Sequence, residues 1–137
     1  VINITLKGMS AEHKIETLEA MLSGVITGRK IYTNQPIAEY AGLIFPIFTE
    51  TDTQYEYTSE SYVFGVSNAV QNTLRVECVG DTFTQYSQID LSTVLKDFNA
   101  DGIVIDVTIE IGENMQMDNI YISSWRDIEQ DDINFNN

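Results

Sequence analysis

The clearest stretch of the chain alternates without a break. Ile103, Ile105, Val107, Ile109 and Ile111 fall on one side of an extended backbone, with Asp106, Thr108 and Glu110 on the other. Successive side chains of a strand point to opposite faces, so this segment predicts a strand with one buried face. Ile2, Ile4 and Leu6 repeat the pattern near the start, and Leu74, Val76 and Cys78 repeat it within residues 73–79. Residues 61–67 and 119–125 predict two further strands, and residues 28–33 a short one. Residues 43–48 are apolar but contain Pro46, which cannot donate to a ladder, so they predict an edge or bulged strand. The polar segment 49–60 reads as a loop or as the exposed arm of a long hairpin.

Two segments predict helices. Ser10 can cap one that runs to about Ser23, with Ile15, Leu18 and Leu22 as its apolar stripe and Gly24 as its stop. The second covers about residues 88–98, where Ser87 and Asp90 resemble a capping box and Ile89, Val94, Leu95 and Phe98 form the core face. The expected fold class is therefore α+β: a mostly antiparallel or mixed sheet of about six strands, with two helices packed on one face. The 137 residues suit one domain, expected at residues 1–126, with residues 127–137 as an acidic C-terminal tail.

Charge narrows the choice of partner. There are 21 acidic residues against 7 basic ones, a formal net charge of -14. Phosphate backbones and anionic membrane surfaces call for clustered Lys and Arg, so neither nucleic acid nor membrane is an expected partner. From Asp101 onward stand nine acids and one base, Arg126. No apolar run is long enough to cross a bilayer as a helix, and no charged-then-apolar leader opens the sequence, which predicts a cytosolic origin.

The chemistry-bearing residues are sparse. His13 is the one histidine and Cys78 the one cysteine, which excludes paired-imidazole metal motifs and any intrachain disulfide. Cys78 lies in an alternating apolar stretch and is expected to be a buried, inert thiol. His13 reads as a solvated residue in the first turn of the first helix. The glycines are scattered singly, with no phosphate-cradling loop. No pair of acids stands out for glycosidase-type chemistry. The chain is expected not to be an enzyme.

One motif carries mechanical content. Asp97, Asn99, Asp101 and Gly102 reproduce the first half of an EF-hand loop, in which alternate oxygens wrap a calcium ion around a tight glycine turn. The twelfth position is Thr108 rather than a bidentate Glu, though Asp106 could contribute. The same residues also suit an ordinary turn between a helix and a strand. The candidate site is thus Asp97, Asn99, Asp101 and Asp106 around weakly bound calcium, with no other cofactor expected. Tyrosine is frequent, and it favours both sheets and interfaces. Tyr55, Tyr57, Tyr62, Trp125 and Arg126 are the candidate interface residues.

The order of signals at residues 15–48, and onward to a strand ending near Ser67, resembles a known family. A helix is followed by Gly28-Arg29-Lys30-Ile31-Tyr32, then Pro36, then an apolar segment with Pro46, then a strand ending near Ser67. Tail-completion and tail-terminator proteins of tailed bacteriophages look similar, with a second helix and closing strands that residues 88–98 and 103–125 could fill. The resemblance implies a non-catalytic, ring-forming virion subunit, often hexameric, that ends tail-tube growth and joins tail to head. Its partners would be further copies and other virion proteins, and it would be assembled in the host cytoplasm. A reading from the acidity alone is a binding module that neutralises a basic protein by imitating nucleic-acid charge.

Overall fold

The computed structural model describes residues 1–9, 15–26, 41–63, 65–67, 70–80, 84–96, 102–111 and 117–128. Among these the chain is mostly strand. In order come β1 (Ile2–Lys7), β2 (Ile15–Ile26), β3 (Ala41–Ile44), β4 (Thr49–Glu50), β5 (Tyr57–Ser61), β6 (Gly65–Val66), β7 (Thr73–Gly80) and β8 (Thr84–Asp90). A single helical turn, α1 (Ser92–Leu95), precedes β9 (Ile103–Ile111) and β10 (Met117–Asp127).

The strands form two sheets. The first has the order β10-β9-β1-β5-β4, and the second β3-β2-β7-β8, with β6 paired to β2. β1 runs parallel to β9 and antiparallel to β5, so the first strand of the chain fills the middle of its sheet. A parallel pair needs a long crossover, and here the entire second sheet lies between β1 and β9 in sequence.

One apolar core joins the sheets. Ile2, Ile4, Leu6, Ile103, Ile105, Val107 and Ile109 bury from the first, and Ala20, Leu22, Leu74, Val76 and Cys78 from the second. Burying each large side chain contributes roughly 1.5–3 kcal/mol before entropy is counted. Leu91, Val94 and Leu95, in and beside α1, close one end of this core. The architecture is a β-sandwich.

The expected α+β class is thereby corrected. Residues 15–23 lie in β2, not in a helix, and residues 88–90 end β8, leaving one turn of helix where ten or so residues of it were expected. Leu18 and Leu22 are four apart, a spacing that serves both a helix face and a strand face. Pairing with β7 decides between them by setting Leu18, Ala20 and Leu22 opposite Cys78, Val76 and Leu74. Ser87 opposes Val76 in the β7–β8 ladder instead of capping a helix. The turn is entered through Asp90, whose Oδ1 accepts from the Ser92 amide at 2.9 Å. The Ser92 hydroxyl and, after it, that amide contact hold the Asp90 carboxyl below its ordinary pKa. The expected strand at residues 28–33 lies outside the described residues, as does His13.

Two glycines fix how the sheets close. Gly102 has φ 130°, and a Cβ there would run into the Val1 carbonyl, which accepts from the Ile103 amide at 2.9 Å as β9 starts beside β1. Gly24, with φ 74°, sits in the β2 bulge against Asn72. The buried Asn72 side chain donates to the Gly24 carbonyl at 2.9 Å, its amide donates to Ser92 Oγ at 2.9 Å, and its carbonyl accepts from Leu91. One residue, through its side chain and its backbone, thus ties β2, the turn before β7, and α1 together.

Of the expected acidic tail, Asp127 and Ile128 are described, and the rest lies outside the described residues. β10 runs on to Asp127, which pairs with Ile103, and the Ile128 amide donates to the Gly102 carbonyl at 2.9 Å.

Candidate interaction surface

Of the candidate calcium ligands, Asp106 alone falls within the described residues. Asp97, Asn99 and Asp101 lie outside the described residues. Asp106 lies on the outer face of the first sheet, where its Oδ2 accepts from Ser124 Oγ at 2.9 Å and pairs with Lys7 Nζ at 3.1 Å. Its carboxylate is thus engaged by an ammonium and a hydroxyl. Among the described residues no group of three or more acids, histidines or cysteines is arranged to hold a metal.

The candidate interface residues also fall in two places. Tyr57 pairs with Leu6, so its ring shares the inward face. Burial raises its hydroxyl pKa, and Glu50, Cys78 and Tyr55 add to the effect. Tyr55 turns the β4–β5 hairpin with φ 63°, and its amide donates to Glu50 Oε2 at 2.9 Å. Both tyrosines are half-buried against the core. Tyr62, just past β5, is 75% exposed. Trp125, 52% exposed, and Arg126, also exposed, lie on β10 at the far edge of the first sheet. β9 and β1 separate β10 from β5, a distance of about 14 Å at ordinary strand spacing.

A further exposed apolar surface was not among the expected sites. The segment from Leu43 to Ile47 exposes Leu43, Phe45 and Ile47 in alternation, with Ile47 81% exposed, while Pro46 is buried. Proline explains the geometry. β3 pairs with β2 only as far as Ile44, and the chain then leaves the ladder to reach β4 in the other sheet. Beside this crossing segment lies a groove of about 670 Å³ lined by Phe45–Phe48, Leu18–Met21, Arg75 and Glu77. The sequence signal was the charge-free run of residues 41–48 in a chain of net charge -14. A proline in such a run bars it from the middle of a sheet, so its apolar side chains cannot all be buried.

The electrostatics of the groove follow from register. Glu19 and Glu77 stand directly opposite each other in the β2–β7 ladder. Among the described residues no Lys or Arg forms an ion pair with either. The Arg75 guanidinium lies 4.2 Å from the centroid of the Tyr86 ring, a cation–π contact on the same outer face.

The one cysteine carries no accessible chemistry. Cys78 is buried at 1% exposure, and burial, reinforced by Glu77, pushes its thiol pKa up to about 12. A thiol so held is neutral at ordinary pH and a poor nucleophile.

The described fold and surface are those of an acidic β-sandwich with exposed apolar side chains at its edges. Comparison with family models, curated proteins and solved structures finds no match.

Proposed function

We propose that this chain is a non-enzymatic assembly subunit that works by symmetric self-association. The observation that carries the reading is the pairing of Trp125 on one edge of the sandwich with Leu43, Phe45 and Ile47 on the other, all large, apolar and exposed. Scattered apolar residues need no explanation, but an exposed ridge beside a groove marks a contact surface. A ring within a bacteriophage tail or neck is the specific form the sequence resemblance suggests. The helix that opens that resemblance is strand β2, so the edge surfaces carry the proposal and the virion context remains its extension.

Light scattering at rising protein concentration, with electron microscopy of the heaviest fraction, tests the proposal. The expected result is a particle mass several times the 15.5 kDa of one chain. A monomer at every concentration, with and without salt to screen the net charge, sinks it.

A further inference from the structure

The two edges of β2 are unlike. One edge pairs with β7 from Ile15 to Leu22. The other pairs with β3 from Leu22 to Ile26. Among the described residues nothing pairs with that second edge from Ile15 to Met21. Each non-proline residue of a strand carries one backbone donor and one acceptor, and alternate residues turn both toward the same edge. Between Thr17 and Met21 such residues face the groove, and among the described residues no backbone hydrogen bond links them to the crossing segment at residues 45–48.

Burial marks the same gap. Leu22, Ala20 and Leu18 form the inward row of β2, opposite Leu74, Val76 and Cys78. Leu22 has Ile44 beside it on β3 and is 0% exposed. Leu18, four residues past the end of that pairing, is half-buried, and so is Phe48 across the groove.

We propose that a single extended segment of another protein, basic and with apolar residues at alternate positions, adds to the free edge of β2 as a further strand. Strand addition supplies the backbone partners that the edge lacks. The crossing segment walls the far side of a groove of about 670 Å³. That slot suits one isolated strand, whereas the edge strand of a folded sheet carries its neighbours with it. Inward side chains of the added segment cover Leu18 and Phe48. Outward ones stand beside Glu19, which shares its row with Glu77. A Lys or Arg directly across from Glu19 makes a favourable cross-strand pair. Arg75 leaves that place open, since its guanidinium packs over Tyr86 on β8, away from the free edge. The net charge of -14 favours the approach of a basic segment. The inference goes beyond self-association and does not depend on it, because the edge belongs to each subunit.

The probe is an eight-residue synthetic peptide in which Val alternates with Lys and Thr, labelled with fluorescein. Fluorescence anisotropy reads its binding to the full chain. The expected result is binding that weakens about tenfold or more when Glu replaces Lys in the peptide. N-methylation of the peptide backbone removes its N–H donors, keeps its side chains, and should cost tenfold or more. Ile47→Asp, at a position 81% exposed, should weaken binding to a similar extent with the fold retained, as checked by circular dichroism. Glu19→Gln should weaken it about two- to fivefold. Amide exchange then locates the peptide. Alternate amides between Thr17 and Met21 should slow about tenfold or more on binding, while those already paired with β7 change far less.

No binding at millimolar peptide overturns the proposal, as does binding that survives N-methylation or leaves those amides unchanged. Protection of the same amides on raising protein concentration alone makes the occupant a second copy and also overturns it. If the peptide adds to a chain that stays monomeric, strand addition stands and self-association falls.

Discussion

The outer faces of the two sheets are built alike and behave differently. On the first, Lys7 lies between Asp106 at 3.1 Å and Glu56 at 3.9 Å. Thr58 Oγ donates to Asn3 Oδ1 at 2.9 Å, and Thr108 Oγ1 shares a 2.9 Å hydrogen bond with Ser123 Oγ, which itself donates to the Asp106 carbonyl. On the second, Glu19 opposes Glu77, and Phe45 and Ile47 stand in solvent nearby. The first face satisfies its polar groups from within and gains little by being covered. The second keeps a repulsive pair and wet apolar surface, both of which a partner would improve. Where a sheet leaves its own interactions incomplete is where a partner has most to add.

The largest effect separates core from groove. Ile105→Ala, beneath the first face at 0% exposure, should cost about 2–5 kcal/mol of folding stability. Phe45→Ser, at 69% exposure, should shift the monomer by no more than about 0.5 kcal/mol. Urea unfolding at a concentration too low for association measures both. A large loss from Phe45→Ser would make the ridge part of the core and dissolve the contrast.

A smaller effect tests the closed face. Lys7→Met removes the cation between Asp106 and Glu56. With the Lys7 side chain 42% exposed, solvent screens the pairs and the loss should be roughly 0–1 kcal/mol. It should shrink further as salt rises. A stabilising Lys7→Met would mean that the network on this face is not a source of its stability.

The sequence announced some of this fold and concealed the rest for identifiable reasons. β1, β7 and β9 alternate cleanly because each puts one row of side chains into the core, and Cys78 follows that row inside. β2 hid behind the four-residue spacing of Leu18 and Leu22. β8 hid because its inward row carries Gln85 and Ser87 ahead of Ile89, so only one apolar residue marks the buried side. Trp125 was legible as an exposed aromatic beside a charge. The groove was not, because which acid faces which depends on the β2–β7 register, and a register between distant segments is a property of the folded ladder. The charge-free run around Pro46 was visible, but its consequence depended on where β3 stops pairing.

The smallest effect has the opposite sign from Lys7→Met and therefore says most about the two faces. Like charges directly opposite in an antiparallel pair are destabilising, by a few tenths to about 1 kcal/mol. Glu77→Gln keeps the shape of the side chain and removes one of the two charges facing the groove. The isolated subunit should gain a few tenths of a kcal/mol, read as a higher urea midpoint at unchanged slope. Glu60→Gln, on the first face opposite Asn3, makes the same change in net charge and serves as the control. Equal gains from both would reflect the relief of overall acidity rather than a local conflict. A gain confined to Glu77, together with weaker association, would place the conflict in the groove. The repulsion the free subunit carries there would then be the local cost of setting two carboxylates directly opposite each other in the β2–β7 ladder.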